Sequence, residues 1–208
     1  VVLSLPAARA QALFAAAARS LRAQAHEVLL SAVAHALGQW MGQDSVRIEL
    51  EGHGREEGAT HLAADRIVGW LTALYPACLP AGAADPGEAL AQVKAALRGI
   101  PDKGLGYGVL RHLAPEGAVL ADLPYPAITF NYLGRVDMAG SGWRWTGESA
   151  GADRAGDGSR RNLIDIGVSL REDELRFVWT YSAAMLDEAD VQALMQRPDD
   201  ELTIDVAA

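Results

Sequence analysis

Apolar and polar positions alternate along this 208-residue chain with two different periods. Leu29, Val33, Ala36, Leu37 and Trp40 recur every three or four residues, which predicts a helix over about 25–41 with Gly42 as its C-terminal stop. Ala-rich residues 7–22 predict another helix ahead of it, and residues 1–3 a short strand. Ser4 reads as an N-cap, with Pro6 in the first helical turn. The period then drops to two. Val46, Ile48 and Leu50 alternate with Arg47, Glu49 and Glu51, the pattern of a half-buried strand. It runs directly into Gly52-His53-Gly54-Arg55-Glu56-Glu57, a charged, turn-forming segment that places polar groups at the end of a rigid element.

Further along, residues 70–79 predict an apolar strand ending near Pro80, and 86–99 a helix with Leu90, Val93 and Leu97 on one side. Residues 101–108 read as a tight Gly loop and 109–113 as one or two helical turns. A strand is expected at 128–133, and two more at about 162–170 and 174–182, joined by the turn Arg171-Glu172-Asp173-Glu174. Asp187 should cap a helix running to about Gln196, and residues 202–206 should close the chain as a strand. Six glycines among small and charged residues make 139–160 a mobile loop in this reading. There is no internal repeat. The pattern is that of an α/β fold, a mixed sheet with helices packed on it.

Composition narrows the function classes. Half of the residues are hydrophobic and 22% are charged, enough apolar material for a core at this length. A net charge of −9 and a pI near 5.0, with no Lys/Arg-rich run, repel phosphate backbones and anionic lipid surfaces alike. Nucleic acid and membrane are therefore not expected partners. Cys78 is the only cysteine, so an internal disulfide and a Cys-based zinc site are excluded; a reducing, cytoplasmic setting fits. The start Val1-Val2-Leu3-Ser4 has neither an initiator Met nor a basic region, which is unlike a signal peptide and suggests an excised piece. His53, Glu57 and His61 match no usual metal-ligand spacing, and Gly104, Gly106 and Gly108 do not have the spacing of a nucleotide-binding loop.

Five ordered segments carry a more specific signal. They are Glu27-Val28-Leu29-Leu30-Ser31-Ala32; Glu51-Gly52-His53-Gly54-Arg55-Glu56; Arg66-Ile67-Val68-Gly69-Trp70-Leu71-Thr72 followed by Tyr75-Pro76; Pro101-Asp102-Lys103-Gly104-Leu105-Gly106-Tyr107-Gly108; and Phe130-Asn131-Tyr132-Leu133-Gly134. Together they resemble the motifs of the epimerisation domains of nonribosomal peptide synthetases, in the condensation-domain superfamily. Ile67 and Leu71 depart from that family's usual Thr and Phe. The hexapeptide 51–56 is the family's signature, and ordinary condensation domains lack it.

The resemblance implies two chloramphenicol-acetyltransferase-like lobes arranged in a V, with this chain, residues 1–208, as the C-terminal lobe. It also implies inversion of the α-carbon of an aminoacyl or peptidyl thioester carried on the 4'-phosphopantetheine arm of a peptidyl carrier protein. The domain would need no cofactor of its own. The family's adjacent histidine pair followed by Asp-Gly is missing, since His26, His35, His53, His61 and His112 are all separated. The expected partners are therefore an N-terminal lobe that supplies the histidine and the carrier protein, and the isolated lobe is expected to be inactive.

By the same resemblance, Glu51 is the candidate acid/base of this lobe and Tyr132 the candidate phenol beside the active-site channel. His53, Arg55, Arg66 and Asn131 are candidate channel residues. Plainer readings stand beside these. Glu51 could pair with Arg55 or Arg66, His53 could be a turn residue bonded to backbone, and Tyr132 a core aromatic on the face of Phe130. The two arginines could anchor the loop or meet the phosphate of the arm. Trp143 and Trp145 could cover the channel or simply pin their loop. At the level of function, a condensation-type transferase lobe and a non-catalytic carrier-binding lobe are the competing classes.

Overall fold

The computed structural model describes residues 1–55, 66–136, 142, 148, 151 and 158–201, with 198–201 described by their backbone alone. The expected strand at 202–206, Glu56, Glu57, His61, Trp143, Trp145 and most of the Gly-rich segment 139–160 lie outside the described residues. The elements, in chain order, are β1 Val2–Pro6, α1 Ala7–Leu21, α2 Ala25–Met41, β2 Ser45–Gly52, β3 Ala73–Pro80, α3 Pro86–Arg98, a 3-10 turn Pro101–Gly104, α4 Tyr107–His112, α5 Ala118–Ala121, β4 Ile128–Arg135, β5 Ile164–Leu170, β6 Glu174–Tyr181 and α6 Glu188–Glu201.

One mixed six-stranded sheet has the order β1-β6-β5-β4-β2-β3. Its centre is parallel, β4 pairing with β2 through Ile48↔Ile128 and Leu50↔Phe130 and with β5 through Ile128↔Ile164. Both margins are antiparallel. Strand alternation sends Val46, Ile48, Leu50, Phe130, Ile166, Phe177 and Trp179 to one face, where all are buried under the helices. Leu29, Val33, Ala36 and Leu37 of α2 are fully buried against them, and α3 and α6 pack on α2. The other face carries Glu49, Glu51, Thr129, Asn131 and Asp165.

That polar face is tied together by side chains. Thr129 Oγ1 donates to Asp165 Oδ1 at 2.7 Å, and Arg160 bridges Asp165 at 2.5 Å. Arg161 pairs with the buried carboxylate of Glu49. The same guanidinium lies 4.4 Å from the centroid of the Tyr125 ring, which also receives Arg111 at 4.0 Å.

The N-terminus corrects one expectation. Ser4 is a residue of β1, opposite Arg176, and Pro6 itself precedes α1 without a side-chain cap. Pairing with β6 absorbs the backbone of residues 2–6 and leaves no free position for a capping serine. The strand expected from residue 70 begins at Ala73 and includes two prolines, Pro76 and Pro80, which an edge strand tolerates. The stretch 101–108 is a 3-10 turn followed by the start of α4, rather than an unbroken loop.

Candidate active site

Parallel strands that end side by side place their last residues around one crevice, and β2 and β4 do so here. A groove of about 880 Å³ opens at this point, between the strand ends, the N-terminal turn of α2 and the 3-10 turn after α3. Glu51, His53, Arg55, Asn131 and Tyr132 all line it, whereas Arg66 is exposed and is not among its lining residues.

Glu51 is held by Asn131. The Asn131 Nδ2 donates to Glu51 Oε2 at 2.7 Å across the β2–β4 step, which is possible because the parallel register puts both residues on the polar face. Among the described residues this is the hydrogen-bond partner of Glu51, so the ion pair with Arg55 or Arg66 that the sequence left open is not the arrangement found. Arg55 instead donates through Nη2 to the carbonyl of Gly69 at 2.9 Å, closing the base of the loop after β2. His53 Nδ1 accepts the backbone N–H of Arg55 at 2.9 Å, the bonding of a turn histidine.

Gly54 explains the second glycine of the hexapeptide. Its φ is +66°, and a Cβ there would lie 1.6 Å from the Leu71 carbonyl oxygen. The position is needed for the close approach of two backbone segments. Beyond Leu71, Trp70 is 89% exposed at the lining of the groove, a large apolar surface left to solvent.

Tyr132 follows Asn131 and therefore points to the opposite face of the sheet from Glu51, the face of Phe130. It is half-buried, and burial holds its phenol above the ordinary tyrosine pKa. At neutral pH it carries its proton. Glu51 and Tyr132 thus reach the groove from the two sides of the sheet edge, one as a carboxylate held by an amide and one as a protonated hydroxyl.

The groove also has lining residues that sequence reasoning misses. Glu27 is buried and closes a capping box at the start of α2, accepting the Gln24 N–H at 2.7 Å. The Gln-x-x-Glu spacing is visible in the sequence, but Gln is not a preferred cap residue and the signal is weak. His26 lines the groove beside it, and Lys103 approaches from the 3-10 turn. Asp102 and Lys103 both have left-handed backbones, φ +46° and +50°, a conformation costing roughly 1–2 kcal/mol per residue. Such strain is commonly concentrated at functional sites. Among the described residues, no three His, Cys, Asp or Glu side chains cluster as a metal site would require.

Comparisons with known proteins agree with this architecture. Residues 1–203 match the Condensation domain family. One of the linear gramicidin synthase proteins of Brevibacillus parabrevis is 38% identical over 201 residues, covering 93% of this chain and 3% of the synthase protein. Surfactin synthase subunit 1 of Bacillus subtilis (strain 168) is 36% identical, covering 80% of this chain and 5% of that protein. Among solved structures, the epimerization domain from the third module of tyrocidine synthetase B superposes with a TM-score of 0.86 at 30% identity, over 97% of this chain and 46% of that one. The first condensation domain of the CDA synthetase shares the fold with a TM-score of 0.64 at 18% identity, over 100% of this chain and 46% of that one. The chain thus spans a small fraction of the synthases it resembles and about half of the solved domains.

Proposed function

The chain belongs to the Condensation domain family, and from that premise we propose that it is the C-terminal lobe of an epimerisation domain acting on an aminoacyl or peptidyl thioester of a carrier protein. The observation that carries this reading is the Glu51 carboxylate, presented to the groove on the amide of Asn131 and not consumed by an ion pair. It supports general-base work. The thioester acidifies its α-proton; Glu51 accepts that proton, the electron pair moves into the enolate, and protonation from the opposite face gives the inverted centre. Tyr132, protonated and lining the same groove, would donate a hydrogen bond to charge developing on the thioester oxygen. The similarity to the solved epimerization domain adds support at the level of the whole lobe. The histidine that the family supplies from its N-terminal lobe would be the second proton-transfer group, and the substrate would arrive on the 4'-phosphopantetheine arm.

The test is chiral analysis of the thioester released from the complete two-lobe domain. Glu51→Gln should keep the fold and lower turnover by about 10²- to 10⁴-fold, the usual contribution of a general acid or base. Glu56→Gln and Glu57→Gln remove the same charge in the same segment and should stay active. The 208-residue chain alone should give no D-product above a protein-free control. Near-normal epimerisation by Glu51→Gln would exclude Glu51 as the proton-transfer group. Peptide-bond formation without epimerisation in the complete domain would favour the condensation reading.

A further inference from the structure

His26 is the second residue of α2 and lines the groove. Burial holds its imidazole below the ordinary histidine pKa; Glu27 on its own helix partly opposes this, and Lys103 on the 3-10 turn adds a smaller lowering. Arg22 ahead of α2, Arg98 at the end of α3, Glu51 and His53 are further charged or titratable groups lining the same groove. The Glu27 carboxylate is already bonded to the Gln24 N–H. Among the described residues, no hydrogen-bond partner is found for the His26 side chain, and the residue lines the groove. A neutral ring with one donor and one acceptor suits a neutral polar group of the ligand, and the repeated polar group of a pantetheine arm or peptidyl chain is the amide.

We propose that His26 is a ligand-binding residue of this groove, a hydrogen-bonding partner for an amide of the arm or of the acyl chain it carries. The inference rests on the thioester reading above and extends it to a position outside the family motifs quoted from the sequence. His26 takes no part in the proton transfer. It holds the substrate while Glu51 and Tyr132 do the chemistry.

The experiment uses a non-hydrolysable aminoacyl-pantetheine amide as probe and follows its binding to this chain, and to the two-lobe domain, by calorimetry and by the His26 imidazole signals in NMR. His26→Phe should weaken binding by about tenfold, one good hydrogen bond in a desolvated groove. His26→Gln, which keeps a donor and an acceptor, should recover most of it. Wild-type affinity should fall on acidification between about pH 7 and 5 as the ring gains a proton. In Lys103→Met the loss should begin at higher pH, because the neighbouring cation that disfavours protonation is gone. His26→Gln should lose this part of the pH dependence. In the two-lobe domain, His26→Phe should raise KM and leave kcat nearly unchanged. Unchanged binding of the probe by His26→Phe would overturn the inference and leave the function reading intact. Failure of the wild-type two-lobe domain to bind the probe would overturn both.

Discussion

At the scale of single residues, the pairing of Glu51 with Asn131 separates what a sequence shows from what it hides. Period-two alternation put Glu51 at the end of a strand, at the mouth of a Gly-bracketed turn, and the resemblance of the hexapeptide singled it out as a candidate. Its partner was legible only as part of a motif, since the two residues lie 80 positions apart and meet through the parallel register of β2 and β4. His26 gave no periodic signal at all; its place in the groove depends on how α2 sits against the 3-10 turn. Under the proposed function, the pairing has a consequence for turnover. Asn131→Leu removes the donor that fixes the carboxylate, and turnover of the complete domain should drop by about tenfold to a hundredfold, with little change in KM. Asn131→Asp should be worse, because a second carboxylate at that distance repels the first and raises the pKa of the pair. A rate for Asn131→Leu equal to wild type would mean that Glu51 needs no orienting partner.

At the scale of elements, α1 was readable from its Ala-rich composition and α2 and α3 from their apolar periods, and their bounds fall within a residue or two of expectation. The N-terminal strand was not read to its full length, because five residues bearing one polar side chain are too short to declare a period. What holds Ser4 in β1 is tertiary, the pairing of β1 with β6, and its hydroxyl also acts on the Glu174 carboxylate of β6 as a hydrogen-bond donor. That bond is the largest influence holding the Glu174 pKa below the ordinary glutamate value, ahead of Arg176 and Arg171. A depressed pKa in the folded state means the unfolded chain takes up a proton first as pH falls. The stabilisation is therefore complete above the unfolded glutamate pKa and is lost as pH falls through the lower folded value. Wild type should lose stability on acidification through this range more steeply than Ser4→Ala, as read from urea midpoints at a series of pH values. Parallel pH profiles for the two proteins would show that the Ser4 bond does not contribute.

At the scale of the whole molecule, the mixed sheet with helices packed on it was legible, while the strand order was not. Nothing in the local pattern says that β4 inserts between β2 and β5, and the side chains that hold this arrangement come from distant segments. Arg161 is the clearest of them. It satisfies Glu49, whose side chain is 3% exposed, and stacks on Tyr125, while 41% of its own side chain remains exposed. Arg161→Met would strand a buried carboxylate on the sheet. Removing one partner of a fully buried pair costs about 3–5 kcal/mol; the exposure of Arg161 should reduce this to about 2 kcal/mol in chemical denaturation. The double replacement Glu49→Gln with Arg161→Met should recover much of the loss. If Arg161→Met alone is neutral, the polar face does not depend on that ion pair.

The prolines of β3 bear on a different hazard. A sheet margin is a template on which another chain can pair, and a run of such pairings is how fibres grow. A proline accepted in a paired edge strand turns its nitrogen away from its neighbour, so at Pro76 and Pro80 the free margin offers ring methylenes where an incoming strand would look for N–H groups. Two of the donors needed for zipping are missing within one short strand. Among the described residues the sheet ends at β3 by chemistry as well as by topology, and copies crowded together in solution would find no continuous seam there along which to polymerise.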